Sequence, residues 1–157
     1  MLRLLIISIS CILVGFFIGA LCCRLNIRKY FASKDAELER ISMTASVLAE
    51  WMALLESNGS IASYFVKHGY KNVAIYGMGV LGHHVYMQLL DTSVEVKCLV
   101  DKREIKGIYE ACVCKPEDKL NGVDIIVITP IHQYETIKDS LSKGNSVPIV
   151  SIRDILE

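Results

Sequence analysis

The chain has 157 residues, of which 52% are apolar, and its 17 basic side chains balance 17 acidic ones. This length fits one domain with short attachments, and so large an apolar fraction excludes a disordered chain. A surface that binds nucleic acid needs an excess of positive charge to neutralise phosphates, so we do not expect nucleic acid as a partner.

The first predicted element is a membrane anchor in residues 1–28. The twenty residues from Leu4 to Cys23 carry no charge, and as a helix they would be about 30 Å long, the thickness of the bilayer hydrocarbon. Arg24 and Arg28 follow, and this positive charge predicts a cytoplasmic location for the rest of the chain. We therefore expect a single-pass protein of the cell membrane, with the lipid bilayer as a partner through Leu4 to Cys23. The alternative is a cleaved secretory signal, whose apolar core is usually shorter.

A helical linker is predicted next, in residues 29–69. Its first helix, at about residues 34–56, carries a seam of apolar side chains at alternating spacings of three and four residues. The seam consists of Leu38, Ile41, Ala45, Leu48, Met52 and Leu55. It predicts either packing against the chain's own domain or association with a second chain. A turn at residues 57–60 then separates this helix from a short one that ends near His68.

Residues 70–157 are predicted to form a Rossmann-like nucleotide-binding domain. A strand leads into Gly-Met-Gly-Val-Leu-Gly at 77–82, a helix follows, and a second strand ends at Asp101, 19 positions after the last glycine. This is the G-x-G-x-x-G arrangement in its context of strand, turn and helix. Gly77 permits the turn, Gly79 lets a phosphate approach the helix amides, and Gly82 allows close packing of helix and strand. The Asp101 carboxylate is expected to accept hydrogen bonds from a ribose.

Three further strands complete the predicted sheet. We expect them at residues 111–114, 123–129 and 147–150, with helices at 131–143 and 152–156. Strands joined by helical crossovers form a parallel sheet, in the order 3-2-1-4-5. A ligand, NAD(P) or a nucleotide-sugar, is then expected over the carboxyl ends of strands one and four. The predicted cofactor-binding residues are Gly77, Met78, Gly79, Val80, Leu81, Gly82, Asp101, Thr129 and Pro130.

The three cysteines of this region, Cys98, Cys112 and Cys114, indicate neither a disulfide framework nor a metal site. An odd number argues against a set of disulfides. Cys112 and Cys114 share one face of a strand, but no second cysteine pair with metal-ligand spacing accompanies them. We expect all three to be small, buried apolar side chains.

No residue is predicted to be catalytic. Tyr134 and Lys138 have the Tyr-x-x-x-Lys spacing of short-chain reductases, but they follow the fourth strand, whereas reductases carry this pair after the fifth. His83 and His84 adjoin the glycine sequence, and adjacent helical residues point about 100° apart, so at most one of them faces a ligand. His132 lies in the loop after the fourth strand and is the histidine to test.

The sequence from about residue 48 to residue 155 resembles a known bacterial family. The resemblance is carried by Glu50-Trp51-Met52, Ile61-Ala62-Ser63-Tyr64-Phe65, the stretch from Tyr70 to Gly79, Val100-Asp101-Lys102, and Ile128-Thr129-Pro130 with Tyr134. These segments resemble the small Rossmann-type domain encoded among bacterial capsule and surface-polysaccharide genes, which occurs alone or fused to glycosyltransferases. That domain is similar to the nucleotide-sugar-binding half of sugar acyltransferases and to the C-terminal domain of some sugar methyltransferases. The resemblance implies binding of a nucleotide or nucleotide-sugar, and it implies no known reaction.

Three functions are compatible with these predictions. We favour a membrane-anchored, cytoplasmic protein that binds a nucleotide or nucleotide-sugar and serves surface-polysaccharide biosynthesis as an accessory or regulator. The first alternative is an NAD-dependent nucleotide-sugar oxidoreductase or epimerase completed by oligomerisation. The second is a ligand-free scaffold that pairs with a glycosyltransferase.

Overall fold

The computed structural model describes residues 2–105, 107 and 109–157, with side chains from Gly15 onward. It divides into two compact units, residues 1–42 and residues 43–157. The first unit is part of α1 (Leu2–Glu56), in which every side chain from Gly15 to Ser42 is exposed. The helix runs without a break through residue 28, where the predicted anchor ends.

The prediction of a transmembrane helix is wrong for the described part of the chain. In the part of the chain that is described, no helix is long and apolar enough to cross a membrane. The uncharged residues whose side chains are described are 15–23. As a helix they are about 14 Å long, which is half of what a bilayer core requires. Beyond them, Arg24 and Arg28 interrupt the apolar sequence. The side chains of residues 4–14, which the predicted span includes, lie outside the described residues. This finding does not test the cellular location, which stays a prediction.

The second unit contains a Rossmann-like α/β fold. Its described residues form a five-stranded sheet of β1 (Asn72–Tyr76), β2 (Glu95–Val100), β3 (Cys112–Cys114), β4 (Ile125–Ile128) and β5 (Ile149–Ser151). All neighbouring strands are parallel, and their order β3-β2-β1-β4-β5 confirms the predicted order. The helices of this unit are the end of α1, α2 (Ile61–His68), α3 (Val80–Leu89), α4 (Tyr134–Leu141), which a 3-10 turn at Ile131–Gln133 precedes, and α5 (Ile152–Leu156).

Both faces of the sheet are covered. One described hydrophobic cluster packs α1, α2, α3 and α5 against Val73, Ile75 and their neighbours. The other packs α4, through Ile137 and Leu141, against the opposite face. Because β4 is buried on both sides, its sequence Ile125–Ile128 is continuously apolar instead of alternating.

The end of α1 packs on the sheet through a different face from the predicted seam. Val47 and Trp51 are buried, and the Trp51 indole donates a hydrogen bond from Nε1 to Gln88 Oε1 on α3 at 3.0 Å. Met52 and Leu55 of the seam are 62% and 45% exposed. The interpretation that this seam packs on the chain's own domain is therefore wrong, apart from the half-buried Leu48.

Candidate functional site

The sheet has a point at which its crossovers diverge. The helix α3, between β1 and β2, lies on one face, and α4, between β4 and β5, lies on the other. The chain therefore leaves β1 and β4, which are neighbours, in opposite directions, and open α/β sheets bind their ligands outside the carboxyl ends of such a strand pair. The predicted residues of the glycine sequence, Asp101, Thr129 and Pro130 all follow strands at this edge.

Gly77 forms the turn that ends β1. Its φ of +92° is in the region that side chains disfavour, and a Cβ there would lie 2.6 Å from the ring of Pro130. Its amide donates a hydrogen bond to the Val100 carbonyl at 2.8 Å, which joins the turn to the end of β2. Both backbone conformation and packing therefore require glycine at this position.

Gly82 lies in the first turn of α3, against the same glycine turn. A Cβ at this position would overlap the carbonyl oxygen of Gly77 and approach the Thr129 hydroxyl. The absence of a side chain thus lets the helix begin directly against the turn. Like Gly77, Gly82 is explained by packing within the chain.

Gly79 differs from these two glycines. Its φ of −80° and ψ of −159° are accessible to any residue, and apart from its chain neighbours no described atom lies within 4 Å of a Cβ built on it. It is also the N-cap of α3, and no side chain of the cap accepts a hydrogen bond from the helix. The first N–H groups of a helix lack intrahelical partners and carry partial positive charge, so the open space over Gly79 adjoins groups that can donate hydrogen bonds to an anion.

Thr129 braces the turn from β4. Its hydroxyl donates to the Gly77 carbonyl at 2.6 Å, and its amide donates to the Tyr76 carbonyl at 3.0 Å. The side chain is buried, and its one proton is committed to the turn. The structure therefore brings Thr129 and Pro130 to the predicted place, where both support Gly77.

Asp101 lies at the end of β2, beside the turn. Its Oδ2 accepts a hydrogen bond from the Met78 amide at 2.9 Å, and its Oδ1 accepts one from the Arg103 amide at 2.9 Å. The Arg103 guanidinium is 3.6 Å away. Burial alone would raise the pKa of Asp101, but these hydrogen bonds and the Arg103 charge together hold the pKa below its ordinary value. Each oxygen keeps acceptor capacity, so the carboxylate can still take a ribose hydroxyl.

The remaining members of the glycine sequence contribute in different ways. The side chain of Leu81 is buried in the core, and that of Met78 packs partly against it. Val80 is 60% exposed. Leu81 can therefore contact a ligand only through its backbone amide, which is among the first N–H groups of α3 that lack intrahelical partners.

Two aromatic side chains near the site were not singled out from the sequence. Tyr109, in the loop between β2 and β3, contacts Tyr86 of α3 edge to face with ring centroids 4.9 Å apart, and its hydroxyl lies 3.4 Å from His83 Nδ1. The Tyr86 hydroxyl accepts a hydrogen bond from the Glu110 amide at 3.1 Å. His84 packs edge to face on Trp51. These contacts join residues far apart in sequence, and no local pattern signals them.

The catalytic candidates lie at the same edge of the sheet. His132 is exposed and lines a cavity of about 390 Å³ after β4 and β5, together with Glu135 and Arg153. The Tyr134 hydroxyl donates to the Ile149 carbonyl at 3.2 Å, so its proton is used within the fold. Among the described residues, no group of three or more His, Cys, Asp or Glu side chains is placed to hold a metal ion.

No protein-family model matches the chain, and a search of curated proteins finds no match.

Proposed function

We propose that this protein binds a nucleotide or nucleotide-sugar at the glycine turn and acts as an accessory or regulatory protein. The observation that carries the proposal is the open space over Gly79. Gly77 and Gly82 are explained by the fold, whereas Gly79 has no such explanation and adjoins the uncapped N-terminus of α3. A phosphate in this space would accept hydrogen bonds from the first amides of the helix.

The surrounding charges favour a particular orientation of the ligand. The ionised Asp101 would repel a phosphate but would accept hydrogen bonds from ribose hydroxyls. A ligand in which a ribose adjoins a diphosphate satisfies both conditions, with the diphosphate on the α3 amides and the ribose towards Asp101. NAD(P) and nucleotide-sugars share this chemistry, and the negative charge of Asp101 opposes the 2′-phosphate of NADP.

The link to surface-polysaccharide biosynthesis rests on the sequence resemblance alone. A second candidate, a scaffold for a glycosyltransferase, is favoured by the exposed apolar side chains of Met52 and Leu55 on α1. The two candidates differ in whether a side chain at Gly79 matters. It would block a nucleotide, but it would not alter a partner surface on α1.

Thermal unfolding of the full chain with added ligands tests the proposal. NAD(H), NADP(H), UDP-sugars and CDP-sugars are compared, with coenzyme A and S-adenosylmethionine as further probes. A ligand present at 100 times its Kd should stabilise the fold by about 2.7 kcal/mol. The stabilising ligand should lose its effect in Gly79→Val. Gly144→Val is the matched control, because Gly144 also has open space around it and lies outside the site.

A folded protein that none of these ligands stabilises would overturn the nucleotide proposal. Equal stabilisation of the wild type and Gly79→Val would show that the ligand binds at a site other than the glycine turn. Retained binding to a glycosyltransferase by Gly79→Val would support the scaffold instead.

A further inference from the structure

Three thiols meet at the edge of the sheet, away from the glycine turn. Cys112 and Cys114 belong to the edge strand β3, and their spacing of two residues places them on one face. Cys98 lies opposite Cys112 in the register of β2 and β3. The sulfur atoms of Cys112 and Cys114 are 3.9 Å apart.

The thiols differ in how far solvent reaches them. Cys98 is 7% exposed, Cys114 is half-buried, and Cys112 is exposed. The expectation that all three are buried apolar side chains is therefore wrong for Cys112, and it holds only in part for Cys114, which packs partly buried against the core. Burial, together with hydrogen bonds to Cys98 and Cys112, raises the pKa of Cys114 to about 12. Cys112 is thus the thiol that a reagent in solution meets first, with a protonated thiol beside it.

We propose that Cys112 and Cys114 are a site of reversible oxidation, at which a hydroperoxide converts the two thiols to an intramolecular disulfide. The Cys112 sulfur attacks one peroxide oxygen, the O–O bond breaks, and a sulfenic acid and one water are formed when the oxidant is hydrogen peroxide. The Cys114 sulfur then attacks the Cys112 sulfur and the S–O bond breaks. The Cys114 proton leaves with the hydroxyl group as a second water. The two thiols lose two electrons and two protons, which reduce the peroxide to two waters.

The bond requires the end of β3 to bend. Residues two apart on an extended strand have Cα atoms about 6.6 Å apart and Cβ atoms at a similar spacing, whereas a disulfide needs Cβ atoms about 3.5–4.5 Å apart. Closure requires the sulfurs to move from 3.9 Å to about 2.05 Å. Cys114 is the last residue of β3, and among the described strands β3 is paired with β2 alone, so this end of the strand can shift without breaking a second ladder. Cys98 is buried behind them and is not the first thiol that an oxidant reaches.

Peptide mapping of the full chain tests the proposal, and its result does not depend on nucleotide binding. The folded protein is treated with hydrogen peroxide, quenched, alkylated and digested with trypsin. Cleavage after lysine places Cys98 in the peptide 98–102 and both other thiols in the peptide 107–119, because Pro116 protects the bond after Lys115. We expect the peptide 107–119 to lose the mass of two hydrogen atoms and to escape alkylation, and dithiothreitol should reverse both changes.

Variants identify the pair. Cys112→Ser and Cys114→Ser should each abolish the loss of two hydrogen atoms, and Cys98→Ala should retain it. A disulfide that joins peptide 98–102 to peptide 107–119 would overturn the proposal, since Cys98 would then be the partner. Oxygen adducts on Cys112 without a disulfide would also overturn the proposal. So would thiols that stay free after peroxide treatment. The wild-type map alone separates these results, so the conclusion does not require Cys98→Ala to fold.

Discussion

The carboxylate of Asp101 accepts a hydrogen bond from the backbone amide of Met78, with 2.9 Å between Oδ2 and the amide nitrogen. This bond ties the end of β2 to the middle of the glycine turn. The residue expected to receive a ribose is therefore also a structural support of the turn that would receive the phosphate. The two roles are separable, because stability measurements without ligand report only the structural one.

Asp101→Ala should destabilise the fold in the absence of any ligand. The substitution leaves the part-buried Met78 and Arg103 amides without their charged acceptor, and we expect a loss of about 1–3 kcal/mol. Urea unfolding followed by the fluorescence of Trp51, the chain's single tryptophan, measures the change. Asp101→Asn retains one acceptor oxygen and should lose less. Equal stability of wild type and Asp101→Ala would contradict the structural role.

The contribution of Asp101 should depend on pH in a defined direction. Its folded pKa is lowered below the unfolded value, so the unfolded chain binds more protons in the acid range. The stability that the carboxylate provides is therefore complete above about pH 4 and is lost as the pH falls through the folded pKa. The difference in unfolding free energy between wild type and Asp101→Asn should shrink below pH 4. A difference that stays constant from pH 7 to pH 3 would show that ionisation of Asp101 contributes nothing.

Alanine at two glycines of the same turn should have different effects. Gly82→Ala forces a Cβ into the Gly77 carbonyl and should cost about 1–3 kcal/mol, as overpacking does. Gly79→Ala meets open space at a φ of −80° and should change the stability by less than about 0.5 kcal/mol, because the restriction of the unfolded chain by alanine offsets its poorer N-cap. Thermal and urea unfolding of the two variants in parallel provide the comparison. Similar losses in both would mean that the space over Gly79 is not open.

Two substitutions in α1 should show which face of the helix packs. Val47 is fully buried against the domain, so Val47→Ala should cost about 2 kcal/mol. Met52 is 62% exposed, so Met52→Ala should change the unfolding free energy by less than about 0.5 kcal/mol. Urea unfolding at several protein concentrations measures both and detects association. A large, concentration-dependent loss in Met52→Ala would support self-association through the predicted seam.

The sheet could be predicted from the sequence because its signals are local. The apolar runs and the glycine sequence indicate a parallel sheet, and the order 3-2-1-4-5 follows from the alternation of strands and helices. The sequence defines the strand ends less closely: it predicts β4 at residues 123–129, and the strand spans Ile125–Ile128. The end residues differ because an apolar side chain can continue the pattern after the hydrogen-bonded ladder has ended.

Features that depend on distant partners could not be predicted in this way. Apolar residues lie on more than one side of α1, and their periodicity favours the seam from Leu38 to Leu55 as the packed face. The residues that pack in the core are instead Val47 and Trp51. The spacing of Asp101 indicated its proximity to the turn, but it gave no sign that the Met78 amide is its partner. The charge-free run at the N-terminus indicated a membrane span that the described residues do not contain.

The position of β1 in the sheet has a consequence for synthesis of the chain. β1 pairs with β2 on one side and with β4 on the other, and Val73 meets Ile125 only after most of the protein has been translated. Until β4 leaves the ribosome, the most apolar strand of the nascent chain has one unpaired edge, which is the surface at which incomplete chains join each other. The exit of Ile128 from the ribosome therefore separates an intermediate that is prone to aggregation from a chain that can pair both edges of β1.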